Sequence, residues 1–357
     1  MKLHVGDVEK AADADKTLIF FERMVLGRHF VMKYGIAVDL GATNVRVIAG
    51  CRDGRIIARI MERTNLMGGP EAVSRQIIRL IKRICRENTL KLEDADGIGV
   101  GAFGPQDPIR GGISRPANAP YEFIPIREPL TEEFKVPVEV MNDCLVAAIG
   151  ERFYGAGRGI DNFVYITIST GIGAGVYVDG HVLLGKDGNA HEIGHIVVDY
   201  ERRLLCGCGK RGHWEAYCSG KNIPNYARLI IEEENLKDKF RHSYLYKASY
   251  GKMERVTAKA IYDGAKIGDF LCEHLVNRIG EINAMGVASA INVYDPSVVI
   301  LGGAVVLNNV EQVLTPIRMQ FKDYIVNREA EVKVTPLKGD VVLYGALAMA
   351  FGLHKKG

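Results

Sequence analysis

Two stretches of the chain share one pattern of apolar runs separated by glycine turns. Residues 34–57 read YGIAVDLGATNVRVIAGCRDGRII, which is an apolar strand, a glycine turn, a second apolar strand and another turn. Residues 162–184 read NFVYITISTGIGAGVYVDGHVLL and repeat that plan about 130 residues later. Short apolar runs bounded by glycine are typical of β-hairpins. The pattern therefore predicts two hairpins, each with a glycine-rich bend.

Each predicted hairpin is followed, at a distance, by a further strand that ends in glycines. These strands are DGIGVGAFGP at residues 96–105 and PSVVILGGAVV at residues 296–306. Duplication of one α/β unit is the economical explanation. We therefore expect two α/β domains with a cleft between them: a smaller one at 34–142, completed by the final helix at 340–354, and a larger one at 143–339.

The glycine-rich bends are candidate phosphate-binding sites. A turn of small residues exposes backbone N–H groups and lets an oxyanion approach closely. One such turn alone is equally consistent with an ordinary hairpin, but two facing turns and a glycine-ending strand favour a nucleotide cleft. The candidate residues are Gly41, Thr43 and Asn44 in the first turn, Ser169, Thr170, Gly171 and Gly173 in the second, and Leu301, Gly302 and Gly303 at the strand end.

Polar residues at strand ends are candidates for catalysis. Asp39 ends its strand beside the first turn, where it can hold Mg²⁺ next to polyphosphate or simply cap the turn. The strand VEVM delivers Asn142 and Asp143 to its end, just before the helix CLVAAIGERFYG. Asp143 can accept the proton of an attacking hydroxyl, or it can cap that helix. Upstream, Asn118 in RPANAP can bind a diol or serve the turn.

One short run, HEIGHIVVDYERRLLCGCGKRGHWE at 191–215, concentrates metal-ligand chemistry. Two imidazoles and two thiols suit tetrahedral zinc, and nearby glycines allow a tight loop around one ion. The candidate ligands are His195, Cys206, Cys208 and His213, with Cys218 as a substitute. HEIGH also fits the H-E-x-x-H motif of zinc proteases, but turn-forming residues before it and β-branched residues after it argue against the helix that this motif needs.

Composition and charge exclude several function classes. The 357 residues are 47% hydrophobic and 25% charged, which is enough for two domains with substantial cores. A net charge of +3 without a dense basic stripe argues against a nucleic-acid partner, and no apolar run has the length of a membrane span. Seven cysteines suit a reducing compartment, so we expect a cytoplasmic protein. Residues 1–33 are predicted to form an N-terminal arm without a site.

The ordered motifs resemble those of ROK-family sugar kinases over about residues 35–352. They are DLGATN, GVGAFGP, RPANAP, MNDC, STGIGAG, EIGH, CGCGKRGHWE and VILGGA. The resemblance implies two actin-like (ribonuclease H-like) α/β domains with a nucleotide and sugar cleft between them. It also implies an ATP-dependent hexose kinase in which Asp143 is the general base and the γ-phosphoryl group passes to the sugar 6-hydroxyl. ATP, Mg²⁺ and structural Zn²⁺ are the implied cofactors.

The same resemblance implies a set of sugar-lining residues. They are Asn118, Asn142, Asp143, Glu192, His195 and Glu215. His195 would orient the sugar pocket with one ring nitrogen and coordinate zinc with the other. The chain departs from the family pattern at Ala42, Ser169, His191 and His213. The first two are small enough for phosphate loops and the last is a ligand that zinc accepts, whereas His191 adjoins Glu192 and leaves the sugar preference open.

Several alternatives stay open at this stage. Glucose, or broad hexose tolerance, is expected first, with N-acetylmannosamine, N-acetylglucosamine and fructose as alternatives. A sugar-responsive transcriptional repressor would share the fold, but 33 residues are too few for a helix-turn-helix module in front. An actin-like filament or chaperone ATPase would have no use for the zinc loop. We expect a homo-oligomer, a dimer or tetramer, because symmetric assembly is common.

Overall fold

The computed structural model describes residues 33–116 and 119–355 and has an α/β architecture. The predicted arm, apart from Lys33, and the candidate Asn118 lie outside the described residues. The strands are β1 (Tyr34–Leu40), β2 (Asn44–Gly50), β3 (Ile56–Arg63), β4 (Ala95–Ala102), β5 (Gln106–Asp107), β6 (Gly112–Ser114), β7 (Phe123–Pro125), β8 (Val138–Asn142), β9 (Phe163–Ile168), β10 (Ile172–Val178), β11 (His181–Val182), β12 (Val298–Gly302) and β13 (Glu331–Val334).

Two five-stranded sheets have the same topology. Their strand orders are β3-β2-β1-β4-β8 and β11-β10-β9-β12-β13. In each sheet the first three strands in sequence form antiparallel hairpins, and the last two add in parallel beside the first strand. The predicted hairpins and glycine-ending strands therefore occupy equivalent places in two copies of one α/β unit. A small third sheet, β5-β6-β7, follows β4.

The helices surround and separate these sheets. They are α1 (Ala72–Glu87), α2 (Arg127–Phe134), α3 (Asp143–Tyr154), α4 (Glu215–Cys218), α5 (Ile223–Glu233), α6 (Lys237–Arg241), α7 (Tyr244–Ala248), α8 (Ala258–Lys266), α9 (Phe270–Tyr294), α10 (Ala304–Asn308), α11 (Val310–Gln320) and α12 (Val341–Ala350). Among the described residues, none of these helices is both long enough and apolar enough to cross a bilayer.

Helices α3 and α12 cross closely between the two sheets. A methyl group at Gly345 of α12 would overlap the backbone carbonyl of Val146 in α3, so glycine sets the distance of the crossing. One apolar cluster contains residues of both helices and of both sheets, and a further cluster lies against each sheet. The crossing thus places the end of β8, where α3 begins, next to the region where the two sheets meet.

Two local expectations can be compared with the backbone. HEIGH does not form an α-helix, because only Ile193–His195 make a single 3-10 turn and the chain is extended at Ile196. This agrees with the sequence argument against the protease motif. The final helix, predicted at 340–354, begins at Val341 and ends at Ala350. The prediction placed its end too late.

Candidate functional site

Three neighbouring parallel strands, β1, β4 and β8, end at one edge of the first sheet. Their register aligns Asp39 with Gly101 and Ala102 with Asn142, and Asp143 follows directly as the first residue of α3. The carboxyl ends of parallel strands form the crevice in which ligands of open α/β sheets bind. The structure therefore brings together the acidic residues that the sequence placed at two separate strand ends.

Asp143 does not cap α3, because the side chain of Asn142 does. Asn142 Oδ1 accepts a hydrogen bond from the Cys144 N–H at 2.9 Å. Burial and, to a smaller extent, the negative charge of Asp39 raise the pKa of Asp143 to about 6, although hydrogen bonds from Cys144 partly oppose the shift. A carboxylate with a pKa this close to neutrality is suited to accept a proton at physiological pH.

Asp39 is paired with an arginine that the sequence argument missed. Arg46 Nε donates to Asp39 Oδ2 at 2.8 Å, and its Nη1 donates to Asp340 Oδ1 at 3.1 Å. Burial raises the pKa of Asp39, and the charge and hydrogen bonds of Arg46 oppose that shift. Arg46 did carry a signal, because it is the one charged residue within the apolar strand NVRVIAG. Asp340 lies 294 residues away from Arg46 and carries no local signal.

The first glycine turn joins β1 to β2. The Gly41 N–H donates to the Asn44 carbonyl at 2.9 Å and closes the turn. From the end of β3, Thr64 donates its hydroxyl to the Gly41 carbonyl at 2.7 Å and its N–H to the Thr43 carbonyl at 3.0 Å. Thr43 and Asn44 are exposed at the tip. The base of the turn is therefore fixed, and its tip is accessible to a ligand.

The second glycine turn joins β9 to β10. The Ser169 N–H donates to the Gly171 carbonyl at 2.9 Å, and Thr170 is exposed at the tip. Three hydrogen bonds join this turn to a distant segment. The Gly220 N–H donates to the Ser169 carbonyl at 2.7 Å, and the Lys221 N–H donates to the Thr170 carbonyl at 3.4 Å. The Ile172 N–H donates to Glu215 Oε2 at 2.9 Å. This turn is thus fastened to the segment around α4.

Gly303, after the end of β12, packs against the strand that leads into the second turn. Its φ is 87°, and a methyl group there would lie 2.5 Å from the Ile168 carbonyl and from Thr167 Oγ1. Only glycine fits this conformation and this close approach. Both sheets thus present a glycine turn and a glycine-bearing parallel strand at the same edge.

Four candidate metal ligands converge on one point. The nearest ligand atoms of His195, Cys206, Cys208 and His213 all lie within 4.8 Å of one another. Cys208 Sγ is 3.2 Å from His213 Nδ1, and Cys206 Sγ is 3.8 Å from His195 Nδ1. Tetrahedral zinc with nitrogen and sulfur ligands separates its donors by roughly 3.3–3.8 Å. Both the donor chemistry and the spacing therefore fit a zinc ion.

The loop that bears the two thiols is shaped by a buried carboxylate. Asp199 accepts hydrogen bonds from the Tyr217 hydroxyl and from the backbone and guanidinium of Arg203. The Leu204 N–H donates in turn to the Tyr217 hydroxyl at 3.1 Å. Gly212, with φ of 82°, sits against the Asp199 carbonyl where a methyl group would clash. Gly212 is one of the glycines that the sequence predicted would allow a tight loop, whereas the bracing roles of Asp199, Arg203 and Tyr217 were not predicted.

The two histidines of HEIGH face different neighbours. His195 has Nδ1 near Cys206 and Nε2 3.6 Å from Glu192 Oε2, so its two nitrogens face the metal cluster and a candidate sugar residue. His191 is buried, and its Nε2 is 3.0 Å from the Gly188 carbonyl. Burial lowers the pKa of His191, which favours the neutral ring. His191 thus braces the preceding loop and is not among the four clustered donors.

Cys218, the substitute zinc ligand, lies elsewhere. It is buried, and its thiol donates to the Ile279 carbonyl of α9 at 3.5 Å. It points into the helical core because it ends α4, one turn after Glu215. His213, from the other side of the short helix, is the fourth member of the cluster.

Comparison with known proteins places the chain in a family. The model of the ROK family matches residues 35–351. The glucokinase of Pyrobaculum calidifontis is 34% identical over 316 residues, which are 88% of this chain and 94% of that protein. A ROK family glucokinase from Streptomyces griseus in complex with glucose and AMPPNP is 29% identical with a TM-score of 0.70, covering 88% of this chain and 98% of its own.

A second solved structure agrees in fold over nearly the whole chain. The ROK hexokinase from Thermus thermophilus is 29% identical with a TM-score of 0.75, and the match covers 91% of this chain and 100% of that one. The fold is the actin-like two-domain fold of these neighbours, as the sequence motifs implied. With this match and the family model spanning most of the chain, the protein belongs to the ROK family.

Proposed function

We propose that this protein is an ATP-dependent hexose kinase that phosphorylates the sugar 6-hydroxyl. One observation carries the proposal: Asp143, whose pKa is raised to about 6, stands beside Asp39 at the edge of a sheet that also presents a glycine turn. A base and a phosphate-binding turn at one edge are what transfer of a phosphoryl group to an alcohol requires. The relatedness to glucokinases and a hexokinase supports the same reaction.

Asp143 acts as the general base. Its carboxylate accepts the proton of the sugar hydroxyl while the hydroxyl oxygen bonds to the γ-phosphorus. The bond from that phosphorus to the β–γ bridging oxygen breaks, and ADP leaves with the electron pair. Because the Asn142 side chain caps the helix, the Asp143 carboxylate is not needed as its cap. Water is a competing acceptor, so the cleft must exclude it as the sugar binds.

The two glycine turns bind the nucleotide phosphates. Backbone N–H groups at the exposed tips of the turns would donate to the phosphate oxygens, and the small residues Gly302 and Gly303 at the end of β12 would leave room beside them. Asp39 would hold Mg²⁺ beside the phosphates, directly or through water, and the ion would neutralise charge that develops there. Arg46 occupies one oxygen of Asp39 and so fixes the orientation of this carboxylate.

Zinc is proposed as a structural ion of the sugar site. His195, Cys206, Cys208 and His213 would hold it, and the ion would fix the loop that carries them. His195 would then present its other nitrogen beside Glu192 toward the sugar, as the 3.6 Å separation supports. Asn118, Asn142 and Glu215 complete the proposed sugar contacts.

Glucose is the proposed first substrate. Other hexoses, fructose and the N-acetylated hexosamines are the alternatives, because the loop around hydroxyl 2 decides between them. The proposed division into a smaller domain at 34–142 with 340–354 and a larger one at 143–339 puts both substrates in the intervening cleft. A dimer or tetramer stays our expectation for the assembly.

A coupled assay tests this function. ADP production from ATP is measured with glucose, mannose, fructose, N-acetylglucosamine and N-acetylmannosamine, and without sugar. Sugar-dependent ADP production, strongest with glucose, is expected. Turnover independent of sugar would point to an actin-like ATPase. Sugar binding without phosphorylation, together with DNA binding, would point to a repressor.

A further inference from the structure

The two carboxylate oxygens of Glu215 contact two different parts of the site. Oε2 accepts the Ile172 N–H at 2.9 Å, and Oε1 lies 3.7 Å from the Cys206 thiol. Ile172 begins β10 directly after the exposed tip of the second glycine turn, and Cys206 is one of the four clustered metal ligands. One rigid, planar group therefore joins the phosphate turn to the metal cluster.

The Glu215 carboxylate packs tightly against the second glycine turn. A methyl group built at Gly171 would lie 2.6 Å from Glu215 Oε2, so the turn and the carboxylate are in direct contact. The same segment fastens the turn a second time, since the Gly220 N–H donates to the Ser169 carbonyl at 2.7 Å. Movement of the segment that contains α4 must therefore move the second turn as well.

We propose that Glu215, besides contacting the sugar, is a positioning residue that couples the nucleotide turn to the sugar and metal site. This inference rests on the proposed function, in which the second turn binds ATP phosphates and Glu215 contacts the hexose. A sugar or metal that reorients the Glu215 carboxylate changes its hydrogen bond to Ile172, because both oxygens belong to one plane. Nucleotide and sugar then bind with a coupling free energy, and each changes the affinity of the other by the same factor.

The coupling is measured through the single tryptophan of the chain. Trp214 directly precedes Glu215, so we expect its fluorescence to change when glucose binds. The glucose Kd is measured without nucleotide and with saturating AMPPNP, and the AMPPNP Kd is measured with and without glucose. A change of at least about fivefold, equal in both directions, is expected for the wild type.

Gly171→Ala is the first diagnostic variant. The added methyl group displaces the Glu215 carboxylate, so the glucose Kd of the nucleotide-free protein should rise at least about fivefold. The factor by which AMPPNP changes the glucose Kd should fall toward one. Gly41→Ala is the matched control, because its methyl group meets only the Asn44 carbonyl at 3.2 Å in the other turn. That control should weaken AMPPNP binding, keep the wild-type glucose Kd without nucleotide and keep the coupling.

Glu215→Gln is a second test that applies even if Gly171→Ala does not fold. Its amide oxygen can still accept the Ile172 N–H, so AMPPNP binding should stay within about twofold of wild type while glucose binding weakens. Wild-type glucose affinity in folded Gly171→Ala, with weakened AMPPNP binding, would overturn the proposal. So would a wild-type protein that binds glucose and AMPPNP independently.

A separate measurement distinguishes failure of this coupling from failure of the proposed function. If no hexose is phosphorylated, the proposed function fails, and the coupling is measured instead between AMPPNP and zinc. A chelator competes for zinc in the presence and absence of AMPPNP, and the zinc affinity should shift about fivefold or more in the wild type and not in Gly171→Ala. An unchanged zinc affinity in the wild type would overturn the coupling on its own.

Discussion

The two glycine turns occupy equivalent places in sheets of one topology, yet they are held differently. The only side chain that fastens the first turn to its surroundings is Thr64, from the adjoining strand end, as far as the described residues show. The second turn is fastened by Glu215 and Gly220, which lie beyond the metal loop in sequence. The two copies of the unit thus each supply a glycine turn, and hydrogen bonds from the segment between β11 and α5 hold the second of these turns.

The acidic residues are unevenly distributed as well. Asp39 of β1 pairs with Gly101 of β4, and the equivalent residue of β9, which pairs with Gly302 of β12, is Thr167. The proposed base, Asp143, also follows a strand of the first sheet. In our proposal the first unit therefore carries the acid–base and cation chemistry, while the second unit carries the coupling to sugar and metal.

The largest expected effect belongs to the first unit. Asp143→Asn keeps the shape of the side chain but removes the proton acceptor, so kcat should fall by about 10²- to 10⁴-fold while the glucose Kd stays within about threefold. Steady-state ADP production and tryptophan fluorescence measure the two quantities. Asp238→Asn, at an exposed position on α6, is the control and should keep full activity. A variant that retains a tenth of the wild-type rate would remove Asp143 from the role of base.

The next largest effect should appear in the second unit alone. His213→Ala removes one of four clustered donors, so zinc per purified chain should fall well below one, and zinc affinity should drop by at least about 10- to 100-fold. His213→Cys replaces the imidazole with a thiolate and should retain the ion. Mass spectrometry measures the zinc content per chain of both variants. His242→Ala, which removes an exposed histidine elsewhere, is the control. Wild-type protein with far less than one zinc per chain would contradict the site itself.

A third effect depends on pH and again concerns the first unit. Since the pKa of Asp143 is raised to about 6, kcat/KM should fall about tenfold per pH unit below 6, because the base becomes protonated. A raised carboxyl pKa also means that its stabilising contribution is complete below the ordinary value of 3.8 and is lost as pH rises through 6. Asp143→Asn should therefore be more stable than wild type at pH 8, by up to about 3 kcal/mol, and gain nothing near pH 3.5.

Chemical denaturation of both proteins at the two pH values measures this difference. An equal free energy of unfolding at pH 8, or a kcat/KM profile that is flat down to pH 5, would show that the carboxyl titrates at its ordinary pKa. The metal loop should not affect the titration of Asp143. The kcat/KM profile of His213→Ala should therefore show the same inflection near pH 6, at a lower rate.

Features with a local sequence signal were predicted in both units, whereas features that depend on strand register were not. The hairpins, the glycine-ending strands and the set of four donors that cluster were predicted, because periodicity, glycine and ligand chemistry are local signals. The assignment of the cap was not settled, since only the register of β8 with β4 shows that the strand extends to Asn142 and that its side chain reaches Cys144. Sequence left Asp143 as either base or cap for that reason.

Contacts between distant segments lay beyond any local signal. Asp340, which binds Arg46, immediately precedes the final helix, and its partner lies in the second strand. The hydrogen bond from Ile172 to Glu215 spans 43 residues and depends on how the metal loop folds back onto the second turn. Such contacts are set by tertiary packing, and only the arrangement of the two sheets reveals them.

The smallest expected effect tests whether the first turn is independent of the sugar site. Thr64→Val removes the hydroxyl that donates to the Gly41 carbonyl at 2.7 Å but keeps the β-branched shape. One lost hydrogen bond costs about 1 kcal/mol, so the AMPPNP Kd should rise about fivefold. Thr131→Val removes a hydrogen bond of the same kind on α2, to Arg127 at 2.8 Å, and should leave AMPPNP binding unchanged. Among the described residues, no hydrogen bond joins the first turn to Glu215 or to the metal loop, so the glucose Kd of nucleotide-free Thr64→Val should equal that of wild type. A shift comparable to that in Gly171→Ala would mean that both turns are coupled to the sugar.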